Sequence, residues 1–183
     1  MKKRLFLVTG SPGVGKTTVV SSVVGALKLK GYSVGGMLSR DVKSDGSRIG
    51  FEILDLASER KGWLASITQQ QGTPRVGRYH VNQEDLDSVG VRAILEANQN
   101  SDVVVVDEIG PMELSSDRFI EAVMKVVQGK KLAVCTIHWK IENCLMEAIR
   151  KREDAATFLV TYENRQTLPQ IVVARSVEFL SGE

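Results

Sequence analysis

The 183-residue chain is short of the features that mark several large classes of protein. Its two cysteines, Cys135 and Cys144, lack the C-x-x-C spacing of redox and zinc sites, and we expect Cys135 to be a reduced core thiol. No apolar run approaches the ~20 residues of a membrane-spanning helix, and no separate signal region precedes the first predicted strand. We therefore expect a cytoplasmic protein that is not embedded in a membrane.

Charge and aromatic content exclude a further class of partner. Lysine and arginine number 24 against 22 aspartates and glutamates, and aromatic residues make up 5% of the chain. This near balance, with no stripe of basic and aromatic residues, gives no indication of nucleic-acid binding. The hydrophobic content of 43% is ordinary for a globular protein, and the length suffices for one sizeable core. We expect one domain over residues 1–183, acting as a monomer.

One motif organises the rest of the sequence, and it begins directly after the apolar run Leu5–Val8. The pattern G-x-x-x-x-G-K-[ST] is fitted by Gly10, Ser11, Pro12, Gly13, Val14, Gly15, Lys16 and Thr17, with Thr18 following. Apolar residues at helical spacing continue from there to Gly31. The order of strand, glycine-rich loop and helix is the context in which this pattern forms a phosphate-binding loop, or P-loop.

Each residue type in the P-loop has a physical role. Glycines let backbone N–H groups point inward as an anion-binding nest at the positive end of a helix. Lys16 can reach the β- and γ-phosphates as a compact cation, and the Thr17 hydroxyl can ligate Mg²⁺. The motif therefore predicts a site for a nucleoside triphosphate with Mg²⁺ as cofactor.

A second informative segment is the run of four valines from Val103 to Val106, which is typical of a strand buried on both faces. Asp107 and Glu108 follow it, and ligands of parallel sheets bind at the carboxyl ends of strands. Asp107 can hold Mg²⁺ through water, and Glu108 can polarise the attacking water. Lys16 and Glu108 are the predicted catalytic residues, and Thr17 and Asp107 the predicted metal ligands.

Strand and helix patterns alternate along the chain, which predicts a three-layer α/β fold with a mainly parallel central sheet and helices on both faces. An inserted β-hairpin is expected near Asp45-Gly46, with strands over residues 33–39 and from Ile49 onward. Residues 61–78 are rich in glycine and glutamine, and we expect them to be largely loop. Asn82 and Ser116 are expected to cap helices over 83–98 and up to Gln128.

Other candidate residues lie on loops around the P-loop. Tyr162 and Arg165 follow the last predicted strand, where a nucleobase often lies in P-loop folds, and either can stack on the base. Thr136 or His138, at the end of a buried strand, can sense the γ-phosphate. An arginine is needed to stabilise the charge that develops on the γ-phosphoryl group, and the sequence leaves five candidates: Arg40, Arg48, Arg118, Arg150 and Arg152.

Taken together, these segments resemble the small thermophile-type nucleoside-triphosphatases, a P-loop NTPase family that includes cancer-related nucleoside-triphosphatase. Besides the P-loop, the resemblance rests on residues 47–53, 76–79 and 106–114, the last reading Val-Asp-Glu-Ile-Gly-Pro-Met-Glu-Leu. It also rests on Thr-Tyr-Glu-Asn-Arg at 161–165. The resemblance implies slow, Mg²⁺-dependent hydrolysis of nucleoside triphosphates to diphosphate and phosphate, with little preference for the base.

The sequence departs from the family pattern at a few positions. Pro111 stands where the family has lysine, His138 where it has proline, and Arg40-Asp41 where it has a more acidic pair. Two other functions stay open on the residues alone. One is a P-loop kinase that phosphorylates a nucleotide or another small molecule, and the other is a non-enzymatic nucleotide switch. Phosphate release with no acceptor present separates the hydrolase from both.

Overall fold

The computed structural model describes residues 2–68, 72–140 and 144–182. Within these residues a nine-stranded sheet has the order β5-β6-β4-β3-β2-β7-β8-β1-β9. The strands are β1 (Leu5–Thr9), β2 (Val34–Ser44), β3 (Ser47–Asp55), β4 (Lys61–Ser66), β5 (Arg75–Val76), β6 (Tyr79–Val81), β7 (Val103–Ile109), β8 (Leu132–Ile137) and β9 (Ala155–Leu159). The helices are α1 (Lys16–Leu29), α2 (Gln83–Asp85), α3 (Arg92–Asn100), α4 (Asp117–Gln128), α5 (Cys144–Arg150) and α6 (Leu168–Leu180).

Five neighbouring strands, β2, β7, β8, β1 and β9, run parallel and form what we call the parallel half of the sheet. Side chains of a strand alternate between its two faces, and the four valines of β7 are divided accordingly. Val104 and Val106 pack in the core that includes α3 and α4, whereas Val103 and Val105 pack in the core that includes α1 and α6. The predicted α/β fold with helices on both faces is confirmed.

The other four strands, β3, β4, β6 and β5, pair antiparallel beyond β2. Together with residues 39–44 of β2, which pair with β3 beyond the last residue that pairs with β7, they form what we call the antiparallel extension. It is larger than the inserted hairpin that the sequence predicted. The expectation of loop over 61–78 is wrong for Lys61–Ser66, which pairs with β3, and residues 69–71 lie outside the described residues. Strand β2 runs to Ser44, so the turn shrinks to Asp45 and Gly46, both with positive φ. Strand signals were weak there because Gly62 interrupts the apolar pattern.

The predicted helix caps are confirmed. Asn82 Oδ1 accepts a hydrogen bond from the Asp85 backbone N–H at 3.0 Å, and Ser116 Oγ accepts one from the Phe119 N–H at 3.2 Å. A π-helical segment, Leu86–Val91, joins α2 to α3, so the predicted helix over 83–98 is continuous but not regular. The amphipathic pattern of residues 140–152 is typical of a helix, and α5 is described from residue 144, since 141–143 lie outside the described residues. None of the helices described is long and apolar enough to cross a membrane.

Candidate active site

The P-loop joins β1 to α1 in a conformation that depends on its glycines. Gly13 and Gly15 have φ values of +77° and +106°, which residues with a side chain rarely adopt. Gly15 directly precedes the first turn of α1, so the backbone N–H groups at the start of this helix face the loop. Lys16 Nζ donates a hydrogen bond across the loop to the Gly10 carbonyl at 3.3 Å. The strand, loop and helix predicted from the sequence are therefore all present.

Lys16 and Glu108 come together at the carboxyl end of the parallel half. The Lys16 Nζ lies 3.6 Å from Glu108 Oε2, and these side chains are 10% and 24% exposed. The register between β7 and β8 shifts between Val106 and Ile109, so Glu108 lies at an irregularity of β7. Burial raises the pKa of Glu108 above its ordinary value, and the Lys16 cation opposes that rise. The structure thus brings the two predicted catalytic residues into contact.

Asp107 lies beneath the P-loop and is completely buried. Its Oδ1 accepts a hydrogen bond from the Thr136 hydroxyl at 2.5 Å, but Oδ2 has no hydrogen-bond partner among the described residues. Burial raises the pKa of Asp107 to about 6, against hydrogen bonding from Thr136 and Thr17. Thr17 therefore faces this carboxyl, although it makes no hydrogen bond of ordinary geometry to Oδ2. An orphaned buried carboxylate oxygen beside a hydroxyl is what a hard cation satisfies.

The residues present therefore fit a divalent cation. No group of three or more histidine, cysteine or acidic side chains in the described part of the chain could hold a metal by itself. A cation at Thr17 and Asp107 would accordingly take most of its ligands from water and from phosphates of a bound nucleotide. That division of ligands is typical of Mg²⁺ in nucleotide-binding enzymes.

Glu113 is a further buried carboxylate that the sequence reasoning did not single out. A Cβ placed on Gly110 would lie 2.9 Å from Glu108 Oε1 and 3.0 Å from Glu113 Oε2, so these two oxygens approach the same point. Burial, together with the charges of Glu108 and Asp107, raises the pKa of Glu113 to about 8. Its position five residues after Glu108 was visible in the sequence. Its burial was not, because it depends on how the turn after β7 folds back.

A cavity of about 560 Å³ opens between the P-loop and the antiparallel extension. The P-loop side contributes Lys16 and Thr17, whereas the extension contributes polar side chains such as Arg40 and apolar ones such as Phe51. Glu108 and Glu113 also face it. The cavity therefore joins the P-loop, Glu108 and the inner wall of the extension in one space.

The structure divides the five candidate arginines. Arg40 and Arg48 line the cavity, and Arg48 also pairs with Asp41 at 2.6 Å. The other three are not among the residues that line the cavity: Arg118 lies 3.8 Å from Asp87, Arg150 donates to the His138 carbonyl at 3.4 Å, and Arg152 pairs with Asp154 at 2.8 Å. Position therefore favours the two arginines of the extension.

Tyr162 and Arg165 lie together on the loop after β9, with the Arg165 guanidinium 5.2 Å from the centre of the Tyr162 ring. Arg165 also approaches the P-loop, since its Cδ lies 3.7 Å from where a Cβ on Gly15 would be. The Tyr162 side chain is 64% exposed. Neither Tyr162 nor Arg165 is among the described residues that line the cavity. Arg165 therefore lies beside the P-loop and outside the cavity, with Tyr162 against it.

Comparison with known proteins supports what the site indicates. The model of a family described as NTPase matches residues 5–173. The nucleoside-triphosphatase THEP1 of Thermofilum pendens is 44% identical over 170 residues, which cover 92% of this chain and 93% of the relative. That of Methanothermobacter thermautotrophicus is 43% identical over 160 residues, covering 87% and 88%.

Two solved structures have a similar fold over nearly the whole chain. The crystal structure of THEP1 from Aquifex aeolicus matches with a TM-score of 0.79 at 27% identity, covering 93% of this chain and 97% of that one. The solution structure of a human cancer-related nucleoside triphosphatase matches with a TM-score of 0.78 at 35% identity, covering 94% and 96%. The chain therefore belongs to the NTPase family that includes these nucleoside triphosphatases.

Proposed function

We propose that this protein hydrolyses nucleoside 5′-triphosphates to diphosphate and phosphate, slowly, with Mg²⁺ and with little preference for the base. The observation that carries the proposal is the convergence of Lys16, Glu108 and the orphaned oxygen of Asp107 on one P-loop. Membership of a family whose relatives are named nucleoside triphosphatases supports the same reaction. Phosphoryl transfer needs little besides positioned charges and an oriented nucleophile, and this site has a candidate for each.

Each side chain has a defined role in this reaction. Lys16 turns from Glu108 to the β- and γ-phosphates and compensates their charge. Glu108, released from Lys16, accepts a proton from a water molecule as the water oxygen bonds to the γ-phosphorus and the bond to the β-phosphate oxygen breaks. Mg²⁺, held by Thr17 and through water by Asp107, would neutralise charge on the phosphate oxygens. The diphosphate leaves with the electron pair of the broken bond.

The experiment is phosphate release from purified protein with Mg²⁺ and each of ATP, GTP, CTP and UTP, without any other substrate. We expect steady release from several of the four, and a loss of about 10³-fold in Lys16→Ala. Lys43→Ala, which removes an exposed lysine of β2, is the matched control and should hydrolyse like the wild type. Tight nucleotide binding without phosphate release would contradict the proposal.

A phosphotransferase is the second candidate, and the cavity is the observation in its favour. Its wall includes Phe51, Leu64 and Val76 of the antiparallel extension, and an apolar wall is not needed to hold water. A kinase would transfer the γ-phosphoryl group to an acceptor hydroxyl instead. Equal amounts of diphosphate and free phosphate, with no acceptor added, would favour the hydrolase.

We also propose that the chain acts as one domain, as a monomer, in the cytoplasm, and that it does not bind nucleic acid. The near-neutral formal charge of +2 supports the absence of nucleic-acid binding. Sedimentation velocity with and without a duplex oligonucleotide tests both the oligomeric state and this absence.

A further inference from the structure

The backbone of His138 is held between β1, which leads into the P-loop, and β7, which carries Glu108. β8 lies between β7 and β1 in the sheet. At its end, the Thr9 hydroxyl donates to the Ile137 carbonyl at 3.3 Å, and the His138 N–H donates to the Ile109 carbonyl at 3.2 Å. These bonds place His138 near both the end of β1 and the end of β7.

The side chain of His138 is oriented by one further hydrogen bond. Its Nδ1 accepts from the Lys140 backbone N–H at 3.3 Å, so in the neutral imidazole the proton resides on Nε2. The ring lines the cavity together with Lys16, Thr17 and Glu108. His138 therefore has Nδ1 engaged with its own loop, and Nε2–H is the remaining donor of a ring that lines the cavity.

The groups around His138 favour its neutral form before nucleotide binds. Burial, then the cations of Lys16 and Lys140, lower the pKa of His138 below its ordinary value. Lys16 belongs to α1 and Lys140 to the loop of His138 itself, while Arg150 of α5 donates to the His138 carbonyl. Glu108 is paired with Lys16, and the acidic side chains that line the same cavity are Asp41, Glu108 and Glu113. Without nucleotide, the imidazole is thus a neutral donor beside two cations.

We propose that His138 donates a hydrogen bond from Nε2 to a γ-phosphate oxygen, and thereby favours binding of nucleoside triphosphate over diphosphate. This inference rests on the proposed function, since it assigns one more contact to the same phosphates.

A charged hydrogen bond of this kind has two measurable consequences. It strengthens triphosphate binding alone, since a diphosphate has no γ-oxygen to accept it. It also raises the pKa of His138 when a triphosphate binds, because the phosphate charge favours the imidazolium form. The chain has two histidines, so His80 on β6 serves as the internal control.

The first test compares Mg²⁺ complexes of a non-hydrolysable ATP analogue and of ADP by calorimetry at pH 8. We expect His138→Ala to bind the analogue about tenfold more weakly and ADP unchanged. His138→Gln, which keeps an N–H donor, should recover part of the loss, and His80→Gln should match the wild type. Equal changes for both ligands, or no change for either, would overturn the inference.

The second test follows the C2–H resonances of the two histidines by NMR from pH 5 to 9, with His80→Gln used for assignment. The pKa of His138 should rise with the analogue and stay near its free value with ADP. The same pKa with both ligands would overturn the inference. A wild type that neither binds nor hydrolyses any nucleoside triphosphate would contradict the proposed function, whereas an active wild type with unaltered His138 variants would contradict only this assignment.

Discussion

The parallel half of the sheet and the antiparallel extension both face the cavity, but their charged residues are held differently. At the carboxyl end of the parallel half the charged side chains are enclosed, namely those of Asp107, Glu113 and Lys16. The two carboxylates are at most 4% exposed. In the extension, the Arg48–Asp41 pair has side chains 42% and 39% exposed. Burial strengthens electrostatic effects and shifts pKa values, whereas an exposed pair contributes little to stability.

This difference in burial indicates that the two regions have different tasks. The buried carboxylates and backbone of the parallel half hold the phosphate chemistry in place, and Lys16 changes partner from Glu108 to the phosphates. The extension is attached along β2 and supplies a wall of exposed side chains, of which Arg40 and Arg48 line the cavity. We therefore expect variants in the parallel half to alter turnover and folding strongly, and variants in the extension other than those of Arg40 and Arg48 to alter them weakly.

The largest contrast is expected between two glycines of the same strand region. Gly36 of β2 has φ +112°, and a Cβ there would lie 2.0 Å from the Val105 carbonyl oxygen. Gly36→Ala should therefore lower the free energy of unfolding by about 4 kcal/mol. Gly46, at the tip of the extension, has φ +77° with nothing within 4 Å of its Cβ position, so Gly46→Ala should cost about 1 kcal/mol. Urea unfolding measures both. Similar losses of unfolding free energy in the two variants would contradict the expected difference between these two regions.

Glu108→Gln should lower kcat about 10²-fold, because the amide cannot accept the proton of the attacking water. Binding of Mg²⁺–nucleotide should stay nearly intact, since Lys16 and the P-loop are retained. Glu52→Gln is the matched control in the extension, where Glu52 pairs with Lys61 at 3.3 Å, and it should turn over normally. An equal loss of binding and turnover in Glu108→Gln would make Glu108 a structural residue or a metal ligand.

Glu113→Gln should change how stability depends on pH. The folded-state pKa of Glu113, about 8, exceeds that of an ordinary glutamate, so the native protein binds more protons between about pH 4.5 and 8 and its stability falls as pH rises through that window. The amide stays neutral, so the variant should be more stable than wild type at pH 8 by at least about 1 kcal/mol. Unfolding at pH 5 and pH 8 measures this. The fall in stability between pH 5 and pH 8 should persist in the control variant Glu52→Gln.

The smallest effect is expected at Tyr162. Tyr162→Ala should weaken nucleotide binding about fivefold without changing kcat at saturation, because a stacked base contributes to binding and not to the chemistry. Phe51→Leu in the extension tests the opposite wall. If the affinity for every base is unchanged in Tyr162→Ala and falls in Phe51→Leu, the base lies on the cavity side.

Most of the parallel half could be predicted from the sequence because its signals are local. The buried run before Gly10, the glycine spacing to Lys16 and the four valines before Asp107 each specify an element without reference to the rest of the chain. The signals of α6, Leu168–Leu180, are equally local, since Pro169 stands in its first turn and a helical apolar pattern follows. The antiparallel extension was predicted only in part, because short edge strands such as β5 gain their order from their neighbours.

The sequence by itself determined the P-loop, the catalytic pair as candidates and the family to which the chain belongs. Only the tertiary structure decided that Asp107 keeps an orphaned oxygen, that Glu113 is buried beside Glu108, and that His138 faces the cavity. The physical reason is the range of the interactions. Burial and the pKa of a carboxylate depend on what packs around it from β8, α1 and the turn after β7, and no local pattern in the chain carries that information.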